Sequence, residues 1–149
     1  MGRLPSDPLE RAWAIARFMR EFDQIAVKYE MKLEEVRPGY ARVSMEVKEG
    51  MLNAVRLAHG GVTFSLADFA FAVAANSHGQ VAVATSATIN YPAPAKEGDL
   101  LVAEAREMAR TRRTGLYQVE VRRRGDSVLV ALFTGTVFRR DDSLEEWLP

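Results

Sequence analysis

The sequence predicts an α+β fold: a curved antiparallel sheet wrapped around one long central helix, with an extra helix at the N-terminus. Two observations carry this. Stretches with strand character outnumber helical ones, and they gather in runs rather than alternating with helices. The one long apolar helix, inside Ala58–Gly79, lies between a strand pair and a run of four strands.

Taken in order, "SDPLERAWAIARFMREF" opens with Ser6 or Asp7 as N-cap and Pro8 at the first helical position. Trp13, Ile15, Phe18, Met19 and Phe22 then recur at helical spacing, giving a helix from Pro8 to Asp23. From Tyr40 the period becomes two: Ala41, Val43, Met45 and Val47 alternate with Tyr40, Arg42, Ser44 and Glu46. Pro38–Gly39 marks a turn, so Met31–Val36 pairs with that strand. Gly79 is expected as the C-cap of the central helix. Four strands follow, at Val81–Tyr91, Leu100–Met108, Leu116–Arg123 and Ser127–Phe138, the last apolar on both faces and therefore interior. The tail "RRDDSLEEWLP" reads as polar and peripheral.

At 149 residues the chain suits one domain. Twenty basic and twenty acidic side chains cancel, so no global charge draws it to nucleic acid or to an acidic membrane. The absence of cysteine excludes thiol nucleophiles, disulfides and Cys-ligated metal, and two histidines, His59 and His78, exclude a three-His site. The N-terminus lacks the apolar core of a secretory signal, and Asp68 interrupts an apolar run already too short to span a bilayer. The expectation is a cytoplasmic protein without a metal.

The central helix is unusual. Apolar or alanine side chains occupy every side of Val62–Ala75, so the helix should be buried all round, and a sheet covers one side only. A second copy of the helix is a candidate for the remainder. Asp68 sits on its third turn, where an unpaired carboxylate is costly unless its pKa rises. Ser65 is its nearest polar neighbour in sequence. Asp68 is then either a structural acid bonded to a strand amide or arginine, or a functional one.

His59-Gly60-Gly61 precedes the helix. The first N–H groups of a helix lack internal partners and carry the positive end of its dipole, and glycines admit a ligand to that backbone. An oxyanion hole for a carbonyl turning tetrahedral is thereby available. Gly60 and Asp68 are eight residues apart, about 12 Å along a helix, too far for one carbonyl to meet both easily. Two antiparallel copies in a two-fold dimer bridge the gap, giving two identical sites across the interface.

These residues resemble a known family. "LN" at Leu52–Asn53, "AHGG" at Ala58–Gly61, "LADFAFAVAAN" at Leu66–Asn76, "NYPAPAKEGD" at Asn90–Asp99, "RRTGLYQVEV" at Arg112–Val121 and "VALFTGTVFR" at Val130–Arg139 are similar, in order and spacing, to hot-dog-fold acyl-CoA thioesterases of the phenylacetic-acid-degradation (PaaI) type. The resemblance covers residues 28–139. Residues 1–27, a helical extension, and 140–149, the tail, fall outside it within a single domain 1–149.

The resemblance implies hydrolysis of an aryl- or medium-chain acyl-CoA to the free acid and CoA. Asp68 would be general base or nucleophile, the Gly60 amide of the partner subunit the oxyanion hole, His59 an orienting group, and Asn53 a positioner of water or thioester. It implies no cofactor beyond the coenzyme A of the substrate, and a homodimer that pairs into a dimer of dimers. Tyr91 and Pro92 are assigned no role. A hydroxyacyl-thioester dehydratase and a non-catalytic acyl-CoA binding module are the alternatives. No G-x-S-x-G elbow supports an acyl-serine route.

Gly61 is a further candidate for substrate contact. Arg112, Arg113 and Thr114 lie in a hairpin that is either a solvated turn or a CoA phosphate site, since guanidinium suits phosphate. The resemblance favours the second for Arg113 and Thr114. His78, before Gly79, is expected to serve the helix C-terminus.

Overall fold

Asp7 starts the first helix by accepting the Glu10 N–H with its side chain, and Pro8 follows at the position where its missing donor is harmless. The computed structural model describes residues 2–149. Helix α1 spans Pro8–Phe22 and a short α2, not anticipated from the sequence, spans Gln24–Lys28. Asp23 creates the break: it ends α1 in an extended conformation and caps α2 by accepting from Ile25 and Ala26.

Strands β1 (Lys32–Arg37) and β2 (Tyr40–Glu46) pair through the Pro38–Gly39 turn. The long helix α3 covers Gly60–Asn76 and is followed by β3 (Gln80–Asn90), β4 (Leu100–Arg110), β5 (Thr114–Arg123) and β6 (Leu129–Ser143). All pairs are antiparallel, in the order β1-β2-β4-β5-β6-β3. This is the hot-dog architecture: a six-stranded sheet curled around α3 with the N-terminal helix added. As anticipated, β6 is interior; β3, which reaches it across the sheet, is left at an edge.

The core centres on Phe71 of α3, whose ring meets Tyr117 at 5.5 Å and Phe133 at 5.3 Å. Gly135 of β6 gives that ring its space, since a Cβ there would fall 2.8 Å from it. Ala12 and Ala16 of α1 and Ala26 of α2 belong to the same core, and both short helices pack against α3.

Several sequence expectations need correction. The chain's own α1 and α2 supply part of the cover for α3 that was sought in a second copy. What stays open is a stripe of Gly61, Ser65, Asp68 and Ala72, spaced four, three and four residues apart and therefore on one helix face. The C-cap of α3 is Ser77; Gly79 instead takes the left-handed conformation, φ +101°, two residues on. In β2, Tyr40 and Ser44 are buried rather than solvated, Tyr40 beneath the guanidinium groups of Arg37 and Arg106. The tail is not merely peripheral: β6 continues to Ser143, and Leu144 is buried.

Strand β3 presents a different picture from the other strands. Its residues Val83–Thr88 are exposed on both faces, and among the described residues no strand pairs with its outer edge.

Candidate active site

His59 is the N-cap of α3, with extended backbone, φ −61° and ψ 134°. Its ring nitrogen Nδ1 accepts the Gly61 N–H at 3.0 Å, and its carbonyl accepts from Val62 at 2.9 Å and Thr63 at 3.2 Å. Three of the first four helix donors are thus engaged. The fourth, Gly60 N–H, has no acceptor among the described residues. The two glycines therefore differ: the Gly61 N–H is occupied by His59, while the Gly60 N–H is free among the described residues.

Gly60 opens onto a pocket of about 320 Å³ lined also by Asn53, Ala58, Tyr91, Pro94 and Val130. Asn53 sits in a tight loop where its Oδ1 accepts from Val55 at 3.0 Å and Leu57 at 3.1 Å, leaving the amide Nδ2 as the group able to act outward. Ala58 N–H donates to Ala95 O at 2.8 Å, fastening this loop to the segment that follows β3. Tyr91 Oη donates to Gly60 O at 2.8 Å.

Asp68 does not line that pocket. It sits half-buried on the open stripe of α3, and no strand amide or arginine bonds to it among the described residues. Burial, and then the charge of Asp23 at the α1–α2 junction, push its carboxyl above the usual aspartate range. Ser65 is no partner for it; its hydroxyl donates back to Gly61 O at 2.8 Å. A free donor and an unpaired carboxylate thus stand about 12 Å apart on one helix, with the protein's own groups satisfying neither.

Arg112, Arg113 and Thr114 are not brought to this pocket within one chain. Thr114 stands opposite Phe138, which stands opposite Val83 near the start of β3, whereas Tyr91 follows its end. Eight strand residues separate the two levels, about 26 Å. The hairpin is held by Thr111 and Thr114, whose hydroxyls meet at 2.7 Å, and Arg113 forms an ion pair with Asp141 at 2.6 Å.

Comparison with known proteins decides the family. Residues 56–130 match the family described as "Thioesterase superfamily". The chain belongs to that superfamily. It is 40% identical to the Escherichia coli K12 acyl-coenzyme A thioesterase PaaI over 87% of this chain and 91% of that protein. The solved structure of E. coli PaaI, from the phenylacetic acid degradation operon, superposes with a TM-score of 0.89 at 37% identity, covering 92% of this chain and 99% of that one. A Streptococcus mutans protein solved bound to acetyl CoA gives a TM-score of 0.71 at 31% identity, covering 74% of this chain and 88% of that one. The chain is a PaaI-type thioester hydrolase.

In this thioesterase the sequence reading missed one residue. Tyr91 was given no role, yet it bonds to Gly60 and walls the pocket. The available signal was a tyrosine at a strand end followed by Pro-x-Pro, an amphipathic ring on a stiff support. The role expected of His78 also changes: its Nε2 lies 2.8 Å from Glu107 Oε1 on β4, so it links the helix end to the sheet. Among the described residues no helix is long and apolar enough to cross a membrane.

Proposed function

We propose that this thioesterase hydrolyses acyl-CoA thioesters, aryl- or medium-chain, to the free acid and CoA, at sites shared between two chains. The carrying observation is the free Gly60 N–H at the start of α3 paired with a partnerless Asp68 eight residues along it. A two-fold arrangement that sets the helices antiparallel brings one chain's amide to the other's acid. The bare β3 edge supports such pairing, because an exposed strand edge favours continuation of the sheet into a second copy. Dimers then pair into tetramers.

The thioester carbonyl oxygen accepts from Gly60 N–H of one subunit, and Asp68 of the other takes a proton from water as the water oxygen adds to the carbonyl carbon. Collapse of the tetrahedral intermediate breaks the C–S bond, and the departing CoA thiolate is neutralised by the proton. If Asp68 attacks directly, an acyl anhydride precedes hydrolysis. A single turnover in labelled water then leaves the label in the aspartate when the water adds to the aspartyl carbon, or in the product acid when it adds to the acyl carbon. Burial, and then the charge of Asp23, raise the Asp68 carboxyl above the usual aspartate range, and a raised carboxyl pKa makes its carboxylate a stronger base. His59 holds Gly61, Asn53 Nδ2 reaches water or thioester, and Gly61 lets the substrate approach. Arg112, Arg113 and Thr114, far from Gly60 in their own chain, contact the CoA phosphates from a neighbouring subunit.

Subunit complementation tests this. Asp68→Asn removes the base. Gly60→Pro removes the donor; the helix start accepts proline because His59 is already extended. The Tyr91 ring, 3.3 Å from a Cβ at this position, must shift, so the fold and assembly of each variant are verified first. Each variant alone should be inactive. After mixed refolding, heterodimers carry one intact site, so about a quarter of wild-type activity returns. Absence of recovery in verified heterodimers refutes a shared site.

A further inference from the structure

We infer that Tyr91 is a positioning residue for thioester hydrolysis, holding the Gly60–Gly61 peptide so that the neighbouring Gly60 N–H keeps its aim while the ring walls the thioester pocket. This rests on the reading of Gly60 as the oxyanion donor. Two consecutive glycines carry few conformational restraints of their own, and a donor that wanders does not stabilise a developing charge. The structure restrains them from outside. The Gly60–Gly61 peptide is gripped at both ends: its oxygen accepts from Tyr91 Oη at 2.8 Å, and its N–H donates to His59 Nδ1 at 3.0 Å.

The Tyr91 bond is not needed to satisfy an orphan. First-turn carbonyls of an α-helix already have an intrahelical acceptor role; the orphans at this end are N–H groups. Its effect is therefore on orientation. The ring also fits a side-chain-free backbone: Tyr91 Cζ and Oη lie 3.3 Å from where a Gly60 Cβ would stand. The support beneath the ring is stiff. Pro92 and Pro94 fix two φ angles after it, and Ala95 O receives the Ala58 N–H, so the loops carrying Tyr91 and His59 are joined. Tyr91 nevertheless keeps 47% of its surface exposed, and it lines the pocket into which Gly60 opens.

The test compares wild type, Tyr91→Phe and Asp68→Asn with phenylacetyl-CoA and hexanoyl-CoA. Thiol release gives kcat and KM, thermal melting gives stability, and amide exchange by NMR follows Gly61. Tyr91→Phe should lower kcat about tenfold and leave KM within about twofold, the pattern of a lost alignment rather than a lost binding contact. Its melting temperature should match wild type, and the Gly61 amide should exchange several-fold faster. Wild-type kcat in Tyr91→Phe, with Asp68→Asn inactive, overturns the Tyr91 assignment and leaves the hydrolase reading standing. A kcat loss that follows a lowered melting temperature and disappears on cooling also overturns it, since the role is then structural. Unchanged Gly61 exchange does the same. Wild-type protein that hydrolyses neither thioester removes the underlying reading and this assignment with it.

Discussion

His78 Nε2 stands 2.8 Å from Glu107 Oε1, and the same carboxylate oxygen accepts the Tyr117 hydroxyl at 2.8 Å. Burial, together with the charges of Arg110 and Arg139, lowers the His78 pKa more than Glu107 raises it. Burial alone would raise the Glu107 carboxyl, but the Tyr117 and His78 hydrogen bonds, with the charges of His78 and Arg110, outweigh it and hold it low. The signs agree. Below about 6.5 the unfolded chain protonates His78 while the folded one resists, and Glu107 contributes stability that is lost as pH falls through its lowered folded value. Melting temperature should fall between pH 7 and pH 5, and His78→Gln should flatten that slope. A slope unchanged in the variant would place the acid sensitivity elsewhere.

Asp68 runs the other way. Its raised folded pKa means a burial penalty that is present above that value and relieved as pH falls through it. Asp68→Asn should therefore raise stability at pH 7 while lowering kcat by about a thousandfold. Urea unfolding and thiol-release kinetics on the same preparation check both. Loss of stability with loss of activity would mean that the carboxylate is a structural partner.

His59 has a separable structural duty. His59→Ala removes the acceptor for Gly61 N–H and should cost about 1 kcal/mol, the usual worth of an N-cap. His59→Asn, which restores an N-cap acceptor, should recover most of that stability. Equal unfolding midpoints for the Ala and Asn variants would contradict the cap.

Gly135 is held by space rather than by backbone angle. Gly135→Ala sets a Cβ 2.8 Å from the Phe71 ring, and should destabilise by about 1–3 kcal/mol. A compensating Phe71→Leu should make the double variant more stable than the sum of the two single effects. Strict additivity would show that Phe71 does not feel the added methyl.

The period of the chain disclosed the elements because burial on one face imposes it. Helix α1 and the four-strand run lie within a few residues of where the pattern puts them. The α2 break was harder to see: it depends on Asp23 turning its side chain to two amides, which no periodicity records. Gly60 and Asp68 were legible because an acid in an apolar helix, and a glycine pair before it, violate local expectation. Tyr91 was not, because a tyrosine at a strand end violates nothing; its importance lies in a bond to a backbone oxygen thirty-one residues away in sequence. The Arg112–Thr114 hairpin was legible as basic, but its distance from Gly60 comes from strand register, set jointly by β3, β5 and β6.

Strand β3, "QVAVATSATIN", contains no charged residue and no proline, the devices by which sheets ordinarily keep an open margin from recruiting strangers. A lone copy of this chain is therefore a hazard to itself. If two chains pair along this edge as proposed, substitutions that loosen that pairing should register first as precipitate and shortened cellular lifetime, and only afterwards as a slower enzyme.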